Sequence, residues 1–126
     1  APPGVPGIEF ILPAMLDAVS RGRLSLGRAH DLICANGARR YGLYPWKGAL
    51  LPGSCADVTI VDLTGETALS AETLHTHARE VAHLFEGRRL QGKVCRTIVR
   101  GDTVFEDGRI TGHAGGGSFV TPRADK

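Results

Sequence analysis

The sequence is short of the features that mark specialised classes. Three cysteines stand among 126 residues, Cys34, Cys55 and Cys95, with no CxxC pair. An odd count at wide spacing argues against a disulfide framework and a zinc ribbon, and reads as small buried hydrophobes in a reducing cytoplasm. Charge of one sign is not in excess: fifteen basic and thirteen acidic side chains give a net +2, with no block of like charge. Electrostatics therefore name neither nucleic acid nor membrane as a partner. The arginine pairs of GRRLQGK and GARRYG have no interleaved aromatics, in a chain that is only 6% aromatic, and read as solvated or pairing side chains. No apolar run approaches the roughly 20 residues that span a bilayer, and no charged-then-apolar leader opens the chain. What remains is an ordinary globular composition, 42% apolar, enough for one domain.

The opening APPGVPGIEF puts three prolines and two glycines in the first seven residues. Each proline fixes φ and removes a donor, so this is a stiff extended loop, and a start inside a loop suggests the tail of something longer. From Pro13 the run PAMLDAVSRG reads as a helix with Met15, Leu16 and Val19 on one face and Gly22 as its stop. Ser25 can cap a second helix with apolar positions Leu26, Ala29, Leu32 and Ile33, interrupted at Asn36-Gly37. A further helical turn then closes at Gly42. Beyond it the grammar changes to strands: a short apolar piece before Pro52-Gly53, then VTIVDL, then residues 93–100, 103–106 and 109–111. Turns at Gly101-Asp102 and Asp107-Gly108 make the last three an antiparallel meander. The tail GHAGGGSFVTPRADK reads as an arm or frayed end. Helices without a sheet to cover, and about five short strands in search of partners, look like remnants of a larger body.

Taken in order, PGVPGIE, LPAMLDAVSRGRLSL, NGARRYGLYPWKGALLPGSCADVTIVDL and FEGRRLQGKVCRTIVRGDTVFEDGRI resemble the C-terminal portion of a cyclic amidohydrolase. Within that superfamily the Pro2-Pro3-Gly4 loop favours a dihydroorotase-like type, with hydantoinase, dihydropyrimidinase and allantoinase as alternatives. The resemblance implies an α/β fold: the C-terminal fragment of a (β/α)8 barrel, its last loop and helices (residues 1–44), followed by the C-terminal half of a small β-sandwich (residues 45–126). In barrel enzymes the site lies on the loops after the strands. The opening loop would cross its mouth, with Pro3 and Gly4 touching a small cyclic amide. Proline keeps such a loop rigid and glycine lets backbone amides approach a ligand.

The family's reaction opens or closes a cyclic amide with one or two metal ions, usually zinc, which generate hydroxide and polarise the carbonyl. By the resemblance, every ligand of that metal lies upstream of residue 1, so the chain itself is expected to supply neither catalytic nor metal-binding residues. One stretch imitates the signature: LHTHAREVAH, residues 74–83. Its HxH follows ETALSAET, which has no β-branched run, rather than a buried strand. His75 and His77 alone also fall short of the three or four protein ligands zinc takes. They read as solvated histidines or, with His83 and Glu80, as an adventitious metal site. GHAGGGSF lacks the lysine and following helix of a phosphate loop. The partners expected are the remainder of the same protein, a cyclic amide and possible further copies in a homo-oligomer. A non-catalytic scaffold relative and a self-contained binding module are the competing readings.

Overall fold

The computed structural model describes residues 7–79 and 85–122. Helix α1 spans Ile11–Ser20, two residues ahead of the expected start at Pro13. Pro13 is thereby third in the helix, where a backbone N–H would have no intrahelical acceptor to lose. The helix ends where Gly22 was expected to end it. The Gly22 amide donates to the Val19 carbonyl and the Arg23 amide to the Ala18 carbonyl, each at 2.9 Å, the paired bonds of a Schellman closure.

Asn36-Gly37 does not interrupt the second helix. Helix α2 (Leu26–His30), a π-helical turn (Asp31–Ala35) and helix α3 (Asn36–Arg40) follow one another through right-handed helical residues. The Asn36 amide reaches back five residues to the Asp31 carbonyl. The wider turn absorbs an extra residue, so the helix runs through the Asn-Gly pair. It closes at Gly42, with Leu43 donating to the Ala38 carbonyl at 2.8 Å.

Four strands form one sheet in the order β1-β2-β3-β4: β1 Val58–Ala68, β2 Arg89–Val99, β3 Asp102–Glu106 and β4 Arg109–Ile110. Strand β1 continues five residues past VTIVDL. Its extension is held by polar contacts rather than β-propensity: Gln91 Nε2 donates to the Thr64 and Gly65 carbonyls at 2.8 and 2.9 Å, and Thr67 Oγ1 to the Gly92 carbonyl at 2.7 Å. The apolar piece before Pro52 is not a strand, and Leu50 and Leu51 are exposed. Strands β2 and β3 are antiparallel and pair Val99 with Asp102, so their turn is Arg100-Gly101, one residue earlier than expected. Arg100 (φ 52°) and Gly101 (φ 92°) both have positive φ, as a two-residue type I′ hairpin requires. The turn at Asp107-Gly108 falls as expected, Glu106 pairing with Arg109. Between Thr97 and Ile98 the register slips, leaving Val104 as the extra residue of a bulge. The Val104 carbonyl accepts from the Thr111 and Gly112 amides at 2.9 and 3.0 Å.

The chain divides into two compact units, one built from the chain up to Ser25 with Val61–Val94, the other from Leu26–Ile60 with the chain from Cys95 onward. The first centres on buried Phe10, Leu69 and Leu74, with Phe85 and Leu90 packed against them. The Phe10 and Phe85 rings lie 4.6 Å apart. Leu16, the most buried side chain of α1, meets β2 at Gly92. Next to it, Asp17 Oδ1 accepts the Gln91 amide at 3.0 Å and Asp17 Oδ2 accepts Arg21 Nε at 2.6 Å.

The second unit is built on a stripe of alanines, Ala29, Ala35 and Ala38, all buried. The expected apolar face is divided: Ala29 is inside, while Leu26, Leu32 and Ile33 are 50%, 43% and 37% exposed. The cysteines are free and none is buried, contrary to expectation. Cys34 precedes Ala35 on the helix, and one residue's rotation carries it off the buried stripe. The tail is tethered as far as residue 118: the Arg100 guanidinium donates to Ser118 Oγ at 3.2 Å and to the Gly116 carbonyl. Among the described residues no helix is long and apolar enough to cross a membrane.

Candidate functional site

Pro3 and Gly4, the expected substrate contacts, lie outside the described residues, as do Glu80 and His83. The described chain begins at Gly7, and the stretch that leads into α1 is fastened twice. The Phe10 and Ile11 amides donate to the Gly7 carbonyl at 3.0 Å, a turn that leads directly into α1. Phe10, 4% exposed, enters the core of its unit, leaving Ile8 outside and turning Glu9 toward the segment after Leu74. The burial of Leu74 brings that segment into reach. Glu9 Oε2 accepts the His75 amide at 3.0 Å and Oε1 the Thr76 amide at 2.6 Å, while His75 Nδ1 stands 3.3 Å from Oε2.

One carboxylate thus satisfies two consecutive backbone donors in a segment with no regular hydrogen-bond ladder of its own. Burial pushes the Glu9 carboxyl upward. The two amides and the His75 ring outweigh it and hold the group below the ordinary carboxylate value of 4.5. A folded-state pKa below the unfolded one means that the unfolded chain binds more protons in the acidic range. The stabilisation is therefore complete above the ordinary Glu range and is lost as pH falls through the lowered value. Glu9→Gln is expected to flatten the acid limb of urea midpoint against pH and to leave its neutral-to-basic limb parallel to that of the unsubstituted protein. Superimposable acid limbs would mean that the carboxylate does not carry the anchor.

His75 is engaged by Glu9, and His77 is exposed. Among the described residues no three His, Cys, Asp or Glu side chains gather closely enough to hold a metal ion. His75 and His77 by themselves supply two of the three or four protein ligands that zinc takes. No motif singles out Glu9, although the sequence carries a signal for it: it is the sole charged residue before Asp17, set between Ile8 and Phe10. In the second unit an ion pair fixes the loop after α3. Lys47 Nζ donates to Asp57 Oδ2, whose other oxygen accepts the Arg100 amide at 2.8 Å. Burial raises the Asp57 carboxyl, but Lys47 and the Arg100 amide and charge bring it below its usual value.

The sequence and the fold have counterparts among known proteins. The chain is 39% identical over 123 residues to a D-hydantoinase of Streptomyces coelicolor and 42% identical over 124 residues to an allantoinase of Rubrobacter xylanophilus, in each case 98% of this chain and 26% of the relative. An L-hydantoinase (dihydropyrimidinase) structure from Arthrobacter aurescens superposes with a TM-score of 0.82 at 39% identity, over 94% of this chain and 26% of that one. No family model matches. The sequence resemblance is therefore a finding: over nearly its whole length the chain is homologous to cyclic amidohydrolases of the amidohydrolase superfamily, and it spans about a quarter of the relatives it matches. The relatives carry the names hydantoinase, allantoinase and dihydropyrimidinase, and dihydroorotase in particular is not supported. The preference for it rested on Pro2-Pro3-Gly4, too short a stretch to separate closely related ring hydrolases.

Proposed function

We propose that this chain is the C-terminal portion of a cyclic amidohydrolase that opens a hydantoin, dihydropyrimidine or allantoin ring. The observation that carries the reading is homology along 98% of the chain, at about 40% identity, to relatives bearing those names. In this reading residues 1–44 are the last loop and helices of a (β/α)8 barrel, and residues 45–126 the C-terminal strands of a composite β-sandwich. The exposed helix face of Leu26, Leu32 and Ile33 supports it, being apolar surface of the kind a larger body covers. Zinc, one or two ions, would be held by residues outside this chain. Pro3 and Gly4 would contact the ring, and a cytoplasmic homo-oligomer is the expected setting.

The test is to purify the protein that carries these residues, measure its zinc, and assay it against hydantoin, dihydrouracil, allantoin and dihydroorotate. Turnover of one of the first three is the expected result; turnover of dihydroorotate alone, or of none, overturns the reading. Replacing Gly4 by a bulky residue is expected to raise KM for the ring with metal content unchanged. Unaltered kinetics would make the loop a plain connector.

A further inference from the structure

We propose that Asn36-Gly37 is a latent self-modification site: when the π-helical turn ahead of it opens, Asn36 deamidates through attack by the Gly37 amide nitrogen, and the isoaspartyl product keeps the helix from closing again. The site is independent of which ring the enzyme opens, since no substrate contact enters it. Asn36 is the chain's single asparagine, and glycine follows it. Hydroxide removes the Gly37 amide proton, the nitrogen bonds to Asn36 Cγ, the Cγ–Nδ2 bond breaks, and ammonia leaves with protons taken from water. Water then opens the cyclic imide on either side. One opening gives aspartate; the other gives isoaspartate, in which the main chain continues through the side-chain carbon. Water is the only reactant consumed. Glycine favours the attack because it has no Cβ to crowd the nitrogen.

In the folded chain the imide cannot close. Asn36 holds φ −67° and ψ −39°, whereas a planar imide eclipses Cβ with the Gly37 nitrogen about the Cα–C bond, which a helical ψ does not allow. Hydrogen bonds hold that conformation from both sides: the Asn36 amide on the Asp31 carbonyl, and the Tyr41 amide on the Gly37 carbonyl at 3.1 Å. The lock is weak at this place. The turn ahead is π-helical, asparagine and glycine rank low as helix formers, and α3 is five residues long. Such a stretch opens without the rest of the protein unfolding. Once it opens, little hinders the chemistry: both residues are exposed, and even a Cβ built on Gly37 would meet nothing within 4 Å. Arg39 Nη1 donates to Asn36 Oδ1 at 3.3 Å and draws electrons from the carbon under attack. Isoaspartate adds a methylene to the main chain between Ala35 and Ala38, the buried alanines against which Gly48 lies. The Leu43 and Tyr44 amides, which donate to the Ala38 carbonyl at 2.8 and 3.2 Å, then lose their acceptor.

The experiment incubates the whole protein that carries these residues at mildly alkaline pH, native and in urea. Mass spectrometry follows the peptide spanning Asn36, and isoaspartyl methyltransferase with labelled S-adenosylmethionine identifies the rearranged product. The mass gain from amide to acid separates this reaction from imide formation at Asp107-Gly108, which releases no ammonia. Native conversion is expected to run roughly ten- to a hundredfold slower than in urea, the protection that a local rather than a global opening gives. Its rate should hold steady across urea concentrations too low to unfold the protein, because a local opening exposes little surface. In the converted fraction, hydrogen exchange at Leu43 and Tyr44 should be faster than in the unconverted protein. Gly37→Ala crowds the attacking nitrogen, and Asn36→Gln would need a larger ring. Both should keep their far-ultraviolet dichroism and convert at least about tenfold more slowly, in the native protein and in urea alike. Native conversion as fast as in urea overturns the proposal, since the helix would then hold nothing back. So does a native rate that climbs with urea as global unfolding does, or no native conversion over about a hundred half-times of the unfolded chain. Conversion that leaves Leu43 and Tyr44 exchange unmoved, or that Gly37→Ala does not slow, overturns it equally.

Discussion

Gly92→Ala is expected to destabilise the protein by about 2–5 kcal/mol, combining the roughly 1–3 kcal/mol of overpacking a filled core with the roughly 1–2 kcal/mol of forcing a side chain into a left-handed conformation. Gly92 sits at φ 102°, and a Cβ there would stand 2.6 Å from Leu16 Cβ, with the Leu16 Cδ1 and Cγ at 3.2 and 3.4 Å. The nearest obstacle is an atom fixed to the α1 backbone, so no rotamer change clears it. Neither partner can withdraw. On one side of the contact Asp17 holds the Gln91 amide, and on the other Thr67 Oγ1 holds the Gly92 carbonyl. Relief must come from sliding α1 along β2, which breaks the bond between Asp17 and the Gln91 amide. Urea unfolding measures the loss. Leu16→Ala in the same background gives a sharper check: it removes Cγ and Cδ1 but leaves Cβ, so the double variant should stay well below Leu16→Ala alone. A Gly92→Ala midpoint indistinguishable from that of the parent would show that α1 does not pack on β2 at this distance.

How much of this was legible beforehand divides along physical lines. Where one residue's backbone preference decides, the sequence was readable: Gly22 and Gly42 close their helices and Asp107-Gly108 turns its hairpin, because few other residues adopt those conformations cheaply. Where tertiary partners decide, it was not. The π-helical turn that carries the second helix through Asn36-Gly37 overrides two residues that are weak helix formers. The extension of β1 through Glu66 and Thr67 depends on Gln91, 24 residues beyond Thr67 in sequence and unrecognisable as a partner until the strands meet. The same holds for the site. The loop was flagged by its prolines and glycines, a local signature. Glu9 acquires its role only through amides 66 and 67 residues away, and a lone carboxylate between two apolar residues hints at that without specifying the acceptor's partners. Resemblance pointed to the cyclic amidohydrolases, because it pools many weak positions, while its preference for the dihydroorotase-like member hung on a tripeptide and finds no support in the names of the relatives.

Gly48→Ala is expected to lift the loop after α3 from its helix and to destabilise the second unit by about 2–5 kcal/mol, the sum of the same overpacking and left-handed penalties. Gly48, at φ 74°, lies where the loop crosses the alanine stripe, and an added Cβ would meet Ala38 Cβ at 2.7 Å, the Cys34 carbonyl oxygen at 3.0 Å and Ala35 Cα at 3.2 Å. All three are backbone or backbone-fixed atoms, so the helix has nothing flexible to yield. The alanines at 35 and 38 and the glycine at 48 are thus one device: three small residues that let a loop backbone lie on a helix backbone. The loop cannot simply step back. Lys47 donates its amide to the Leu43 carbonyl at 2.8 Å, Cys55 to the Trp46 carbonyl at 2.8 Å, and Ser54 Oγ to the Pro45 carbonyl at 2.7 Å, while the Lys47–Asp57 pair ties the same stretch to the Arg100 turn. Trp46, the chain's single tryptophan, reports on this place alone. Its emission should shift to the red in Gly48→Ala under native conditions while far-ultraviolet dichroism is retained. Gly101→Ala separates the two causes, since Gly101 shares the positive φ but an added Cβ there meets nothing within 4 Å. It should lose about 1–2 kcal/mol from conformation alone and leave Trp46 emission unmoved. Equal losses for the two variants would mean that the approach of loop to helix contributes nothing, and that the small residues at 35, 38 and 48 carry no packing constraint.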